Sequence, residues 1–237
     1  MKTLTLLILV IVYSVFADTL LVPSEYPSIQ DAISDSQNGD TVLVSPGEYG
    51  GPISFQGKNI VVRSTNGAAE TLIRTFSDYH CVSFTNGEDS TAVLEGFTIR
   101  NTISDDSHSS IRQMIDHGGG LYVTNSSPTI MNCRLMHCVA ETGAGLYLQH
   151  SSMRMEDCVV SNNDAWYYGG GLFIGSSDEG KPPCIIGCSV TQNDAQDGGG
   201  IYLWGDTVVV INSVVSENEG TGIGVNTTCQ ATPRFPH

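Results

Sequence analysis

The sequence is poor in charged residues, and poorest in positive ones. Charged residues make up 15% of the 237 residues, and 10 Lys and Arg stand against 25 Asp and Glu, which gives a formal net charge of -15. A surface this acidic repels phosphate backbones and anionic lipids, so the composition argues against a nucleic-acid partner. The length suits one sizeable domain with a continuous core.

Long apolar runs are missing after the N-terminus. Residues 1–17, MKTLTLLILVIVYSVFA, combine one Lys, an apolar run from about Leu4 to Val12 and small residues before Asp18. This pattern is typical of a secretory signal peptide. The run is short for a membrane span of ~20 residues, and no later segment is apolar enough to cross a bilayer. We therefore expect a secreted or cell-surface protein, without a membrane span once the signal is removed.

Cysteines are few and odd in number. They are Cys81, Cys133, Cys138, Cys158, Cys184, Cys188 and Cys229. Export permits disulfides, but an odd number leaves at least one thiol unpaired or paired between chains. Two sequons, at Asn125 and Asn226, could carry sugar in a eukaryotic host.

Glycine-rich turns recur along the chain. The stretch GGGLYVTNSSPTIMNC begins at Gly118, and altered copies begin at Gly143, Gly169 and Gly198, with weaker ones at Gly220 and Cys81. A spacing near 25 residues corresponds to one turn of a three-stranded parallel β-helix. Longer intervals then require insertions, at 102–117 and 178–183. The repeat predicts an all-β solenoid of three sheets in which each glycine triplet turns a corner.

Aligning the repeats produces chemically uniform columns. Apolar residues at spacing two should face the core: Phe84, Leu121, Leu146, Leu172, Ile201 and Ile223, then Val123, Leu148, Ile174 and Leu203. Two later columns contain small and amide residues: Gly96, Cys133, Cys158, Cys188 and Ser213, then Asn101, Cys138, Asn163, Asn193 and Asn218. Stacked amides can bond to one another or to turn backbone. Inward thiols favour a reduced ladder, because a disulfide between rungs needs the side chains to diverge.

The N-terminal segment LLVPSEYPSIQDAISDSQNGDTVLVSPGEYGGPISFQGKNIVVRS resembles the cap and first rung of the right-handed parallel β-helix, or pectin-lyase-like, superfamily. The resemblance implies a capping helix over about 26–37, with Ile29, Ala32 and Ile33 on its apolar face, followed by GDTVLVSPGEY as the first strand and turn. The GGGLY turns also resemble repeats of polymorphic outer-membrane and adhesin-like proteins. The implied domain covers 18–225, and an irregular tail follows at 226–237.

Enzymes of this superfamily include pectate lyases, pectin methylesterases and polygalacturonases, whose motifs are only partly matched. MIDHGG at 114–119 resembles the aspartate-histidine motif of pectate lyases without the arginine-proline motif downstream. SDDSH at 104–108 resembles the paired aspartates of polygalacturonases without their His-Gly and Arg-Lys partners. The methylesterase signature is absent. The insertion still gathers acid, base and cation, so the candidate catalytic residues are Asp105, Asp106, His108 and Arg112. A solvated polar loop is the competing interpretation.

Acidic residues also form a column, Asp164, Asp194 and Glu219. Like charges at adjacent rungs are unfavourable unless calcium bridges them or the side chains splay into water. The column is thus a candidate Ca²⁺ site, although the sequence requires no cofactor.

Aromatic residues form the last column, Tyr122, Tyr147, Phe173 and Tyr202, with Trp204 two residues further on. Alternation points them outward, where an exposed stripe could stack on sugar rings or a partner protein. The alternative is that the rings stack on one another and stiffen the sheet. We predict a non-enzymatic carbohydrate- or surface-binding, adhesin-like module whose partner is a polysaccharide or cell-surface molecule. A lyase or glycoside hydrolase acting on acidic polysaccharide is the alternative, and a structural spacer is the third hypothesis.

Overall fold

A computed structural model gives the fold and describes residues 17–76, 79–102, 115–177, 181–205 and 207–225. These residues form the helix α1 (Ile29–Asp35) and the strands β1 (Thr19–Val22), β2 (Thr41–Val44), β3 (Gly47–Gly50), β4 (Ile53–Ser54), β5 (Val61–Ser64), β6 (Thr71–Phe76), β7 (Val82–Phe84), β8 (Val93–Glu95), β9 (Thr98–Thr102), β10 (Leu121–Thr124), β11 (Thr129–Met131), β12 (Arg134–Met136), β13 (Val139–Thr142), β14 (Leu146–Gln149), β15 (Arg154–Glu156), β16 (Val159–Ser161), β17 (Asp164–Tyr168), β18 (Leu172–Ile174), β19 (Cys184–Ile186), β20 (Ser189–Thr191), β21 (Ile201–Leu203), β22 (Val209–Ile211), β23 (Val214–Ser216) and β24 (Ile223–Val225). Within this part of the chain no helix is both long and apolar enough to cross a membrane. The predicted signal peptide, apart from its last residue, and the tail at 226–237 with Cys229 lie outside the described residues.

Three parallel sheets wind around one core. Sheet A has the order β1-β2-β5-β8-β11-β15-β19-β22, sheet B the order β3-β6-β9-β12-β16-β20-β23, and sheet C the order β4-β7-β10-β14-β18-β21-β24. Each rung passes from A to B to C, and two rungs add a short strand between B and C, so that β13 and β17 pair as sheet D. The predicted three-sheet parallel solenoid is confirmed.

The N-terminal end is closed by α1, as the sequence indicates. Ser28 caps the helix by accepting a hydrogen bond from the Asp31 N–H, and Ile29, Ala32 and Ile33 are buried. The implied first strand is wrong, because β1 precedes the helix and pairs with β2. The chain therefore forms one strand of sheet A before it makes the cap.

The inward columns pair rung on rung. Leu121, Leu146, Leu172, Ile201 and Ile223 share one register position across sheet C. The prediction is wrong for the first member, since Leu121 pairs with Val82 while Phe84 pairs with Val123. The pairing places Cys81 opposite Gly120, the third glycine of the next triplet and not the first, because the N–H groups of Cys81 and Val82 donate to the carbonyls of Gly119 and Gly120.

The thiol column is buried but displaced by one residue in its first rung. Pairing of Thr98 with Arg134 puts Phe97, not Gly96, beside Cys133. Gly96 instead occupies the left-handed turn position (φ 79°) that Asn132 occupies in the next rung (φ 53°). Along the ladder, the Cys133 N–H donates to Cys158 Sγ at 3.4 Å, and the Cys188 N–H donates to Ser213 Oγ at 3.0 Å. The cysteines of the described residues are free thiols in this structure: Cys81, Cys133, Cys138, Cys158, Cys184 and Cys188.

The amide column forms a continuous hydrogen-bonded ladder. Asn163 Nδ2 donates to Asn193 Oδ1 at 2.9 Å, and Asn193 Nδ2 donates to Asn218 Oδ1 at 3.0 Å. The Cys138 N–H donates to Asn163 Oδ1 at 2.9 Å and so begins the ladder. Beside it, the corner between sheets B and C has its own small core, made of Ala140, Ala144, Ala165, Ala195 and Ile115.

The glycine triplets serve two purposes. The first glycine adopts a left-handed conformation, at φ 64° in both Gly118 and Gly143. The third lets successive rungs approach closely, since a Cβ on Gly145 would lie 2.5 Å from the Gly171 carbonyl oxygen. The triplets therefore serve rung-to-rung contact as well as turning.

Candidate functional site

The aromatic column stacks ring on ring along the outer face of sheet C. Centroids of Tyr122 and Tyr147 are 5.5 Å apart, those of Tyr147 and Phe173 4.9 Å, and those of Phe173 and Tyr202 5.8 Å. Two histidines extend the stacking, His80 on Tyr122 at 4.2 Å and His117 on Tyr147 at 4.4 Å. The predicted stacking is thus confirmed, each contact adding about 0.5–1.5 kcal/mol.

The predicted exposure is wrong for three of the four residues of this column, while Tyr122 is partly buried. Tyr147, Phe173 and Tyr202 are only 7%, 7% and 5% exposed. Each ring covers the faces of its neighbours, and Tyr168 packs on Tyr202 from the corner side with centroids 4.6 Å apart. The exposed aromatic residues lie around the stack instead, with Trp204 49% and Tyr168 36% exposed.

A groove of about 200 Å³ runs over this stack. The rings of Tyr147 and Phe173 form its floor, and the remaining lining residues are His117, Thr142, Gln149, Tyr168, Gly175 and Trp204. None of these lining residues carries a carboxylate, an ammonium or a guanidinium group.

One wall of the groove comes from the corner between sheets B and C. His117 bridges to Thr142, Thr142 pairs with Tyr168, and Tyr168 bridges to Asp197, so these four residues form one column over successive rungs. The Asp197 carboxylate accepts a hydrogen bond from the Thr221 hydroxyl. The parallel register therefore aligns an imidazole, a hydroxyl and a phenol, and the column ends with a carboxylate.

The opposite wall is the second outward column of sheet C. Pairing of Leu148 with Ile174, and of Ile174 with Leu203, puts Gln149, Gly175 and Trp204 in line. Because Gly175 lacks a side chain, it leaves a gap between the amide and the indole, and a Cβ there would lie 3.3 Å from Gln149 Cγ. This glycine opens the groove.

A β-bulge shapes the corner wall. Ala140 pairs with Ala165 but Thr142 with Tyr168, so β17 has one residue more than β13 over this interval. Bulges of this kind redirect side chains. Trp166 is 50% exposed and Tyr167 43% exposed. Trp166 does not line the groove, whereas Tyr168 does.

Burial shifts the pKa values of two ionisable groups in the stack. It lowers the pKa of His80, so this imidazole is neutral near pH 7, and its Nδ1 donates to the Gly118 carbonyl at 2.9 Å. Burial, with the neighbouring Tyr122 phenol, raises the pKa of Tyr147. The Tyr147 hydroxyl thus stays protonated and donates to Gln149 Oε1 at 2.7 Å. No described residue is hydrogen-bonded to Gln149 Nε2, so this group can donate to a ligand.

The acidic-column candidates do not line this groove, and the candidate catalytic residues are not described. Asp105, Asp106, His108 and Arg112 lie outside the described residues, so their catalytic role stays a prediction. Asp164, Asp194 and Glu219 are exposed on the corner, where their side chains can splay into water. In the described part of the chain, no group of three or more His, Cys, Asp or Glu is placed to hold a metal ion.

Several groove residues are missing from the sequence-based prediction, namely Thr142, Gln149, Tyr168 and Gly175. A signal for Tyr168 existed. The segment between Asn163 and Gly169, DAWYY, is one residue longer than VAET and DAQD, its counterparts in the neighbouring repeats. No comparable signal marks Gln149 or Gly175. They lie two residues after the aromatic column, and they come together as one wall only when the rungs stack.

Comparison with solved structures finds the same fold in carbohydrate-modifying enzymes. Pectin methylesterase PemA from Erwinia chrysanthemi superposes with a TM-score of 0.56 and 12% identity, over 85% of this chain and 66% of that enzyme. Two pectin methylesterase structures with bound hexasaccharide give TM-scores of 0.43 and 0.48 at 13% and 12% identity, each over 82% of both chains. The chain thus spans slightly less than two thirds of PemA. No curated protein matches the sequence.

A family model described as the right handed beta helix region matches residues 64–181 and 119–234, which together exceed half of the chain. These ranges contain the stacked rungs, both ladders and the groove. The chain therefore belongs to the right-handed β-helix family.

Proposed function

We propose that this protein is a secreted or cell-surface carbohydrate-binding module and that its sugar chain lies in the groove over Tyr147 and Phe173. The observation that carries the proposal is the groove lining, which combines aromatic rings with polar groups, none of them a carboxylate, an ammonium or a guanidinium group. The shared fold with a pectin methylesterase supports a carbohydrate-related role without indicating which reaction, if any, the chain performs.

Sugar rings match this lining because they have an apolar face and a rim of hydroxyl groups. The face can pack on the Trp204 indole, which is half exposed, and on the edges of the floor rings. The rim can bond to His117 and Tyr168 on one wall and to the Gln149 amide on the other. A few convergent polar groups around an apolar floor are what a small-molecule site requires.

Hydrolysis would require more than this groove supplies. Glycoside hydrolases use a pair of carboxylic acids on either side of the scissile bond, and the lining residues include none. The hydrolase or lyase hypothesis thus depends on Asp105, Asp106, His108 and Arg112 alone. Binding without turnover is the simpler function for the described residues.

Two tryptophans provide a matched test. Trp204 lines the groove and Trp166 does not, yet they are 49% and 50% exposed. Binding of the purified chain to neutral oligosaccharides and esterified pectin should be measured by calorimetry and affinity electrophoresis. We expect Trp204→Ala to weaken binding by roughly 5- to 15-fold, since loss of a stacking ring costs about 1–1.5 kcal/mol. Trp166→Ala should stay within about twofold of the parent.

Equal losses in both variants, or none in Trp204→Ala, would contradict binding in the groove. The same preparations should be assayed for reducing ends and unsaturated products, with and without calcium. Turnover that disappears in Asp106→Ala would replace the proposed function by the enzymatic one.

A further inference from the structure

The charged residues near the groove are acidic. The rung segments that build its floor and walls are 115–124, 139–149, 164–175, 194–205 and 219–225, and they contain no Lys or Arg. They do contain the carboxylates Asp116, Glu141, Asp164, Asp194, Asp197 and Glu219.

Three of these carboxylates adjoin the corner wall directly. Asp116 precedes the wall residue His117, Glu141 precedes Thr142, and Asp197 follows Tyr168 in the wall column. Neighbouring Cα atoms lie about 3.8 Å apart along the chain and about 4.8 Å apart between rungs. The Cα atoms of all three therefore lie within about 5 Å of a wall Cα, a distance shorter than the Debye length of about 8 Å at physiological salt.

The positive charges of the described residues lie elsewhere. Arg63, Arg74 and Arg154 pair with Glu95, Glu48 and Glu156 on sheets A and B. Lys58 Nζ donates to two carbonyl oxygens of the capping helix, those of Ile33 and Ser34, each at 2.6 Å. Arg100 and Arg134 are on strands of sheet B, and Lys181 precedes β19 of sheet A. No Lys or Arg of the described residues lines the groove to neutralise an acidic ligand.

We infer that the groove selects a glycan without carboxylate or sulfate groups and discriminates against polyuronates. This inference rests on the proposed function and adds the ligand class to it. A polyuronate would carry one negative charge per sugar past the three wall carboxylates, with no compensating cation. A neutral glycan, or a uronate chain whose carboxylates are esterified, meets only the uncharged lining.

Polygalacturonate and its fully methyl-esterified form separate charge from shape, because they share one backbone. Binding of the purified full chain to each should be measured in EDTA, at low salt and at ~1 M NaCl, where the Debye length is about 3 Å. At low salt we expect the esterified polymer to bind at least about tenfold more tightly, and the difference to shrink at high salt.

A charge variant and its matched control complete the test. Asp116→Asn with Glu141→Gln removes two wall charges without changing side-chain shape, and it should bring polygalacturonate closer to the esterified polymer. Asp35→Asn with Glu25→Gln removes two exposed charges at the capping-helix end of the coil and should leave the difference unchanged.

The outcomes are distinct. Equal or tighter binding of polygalacturonate would overturn the inference and leave the proposed function intact. An equal response of the two charge variants would also overturn it, because the effect would then be one of net charge rather than of the groove. Failure to bind either polymer or any neutral oligosaccharide would overturn the inference together with the proposed function.

Discussion

Replacing Asn193 by Ala should reveal how much the amide ladder stabilises the solenoid. Asn193 is fully buried. Its Oδ1 accepts from the Asn163 N–H at 3.1 Å and from Asn163 Nδ2 at 2.9 Å, and its Nδ2 donates to the Val160 carbonyl at 3.0 Å and to Asn218 Oδ1 at 3.0 Å.

Truncation does not affect these partners equally. Asn163 Nδ2 keeps its bond to Leu135 O, and Asn218 Oδ1 keeps the Asn193 N–H. The Asn163 N–H loses its buried partner, at about 1–3 kcal/mol, and the Val160 carbonyl, which also belongs to the β16–β20 ladder, loses its side-chain donor. We therefore expect the free energy of unfolding to fall by about 3–4 kcal/mol, a large part of the 5–15 kcal/mol typical of a domain.

Asn218→Ala is the internal comparison, because Asn218 occupies the same column at a more exposed rung. Water can replace part of what it loses, so we expect a cost of about 1–2 kcal/mol. Both variants should be unfolded in urea and followed by circular dichroism, with unchanged m-values taken as the sign that the whole solenoid still unfolds as one unit. Equal costs, or a cost below about 1 kcal/mol for Asn193→Ala, would refute the argument from buried, unpaired groups.

Three further outcomes are expected. Gly145→Ala should lower the free energy of unfolding in urea by about 2–4 kcal/mol, because the new Cβ meets the Gly171 carbonyl. Gly222→Ala, whose Cβ would have no atom within 4 Å, should change it by no more than about 1 kcal/mol. Similar costs for the two variants would contradict the close-approach argument. Burial raises the pKa of the Cys81 thiol to about 11, so this thiol should resist Ellman's reagent near pH 8 until the chain unfolds. The half-buried Cys184 should react before it. Rapid modification of Cys81 in the native chain would contradict this. Burial lowers the pKa of His80 below its unfolded value, so its contribution to stability is complete above about pH 6.5 and is lost as the pH falls through the folded pKa. His80→Phe, which keeps a ring on Tyr122, should then lose less stability than the parent between about pH 7.5 and pH 5 in urea unfolding, and equal losses would exclude His80 as the cause.

The sequence by itself determined the solenoid. Glycine triplets about 25 residues apart, apolar pairs at spacing two and uniform Asn and Cys columns are local signals, because each rung repeats the same interactions with its neighbours. The capping helix was implied by the resemblance of the N-terminal segment to the caps of this superfamily, and Ile29, Ala32 and Ile33 form its buried face. Register errors arose at Phe84, because Cys81 lies opposite the third glycine of the next triplet and not the first, and at Gly96, which occupies a left-handed turn position.

Only the tertiary structure decided what the aromatic column does. Alternation correctly pointed Tyr147 and Phe173 out of the coil, but whether an outward ring is exposed depends on what covers it, and here neighbouring rings and the corner strands do. The groove arises where the β17 bulge displaces Tyr168 and where Gly175 leaves a gap beside Trp204. Both features depend on rung-to-rung register and on corner geometry, which the chain acquires only when it closes into the coil.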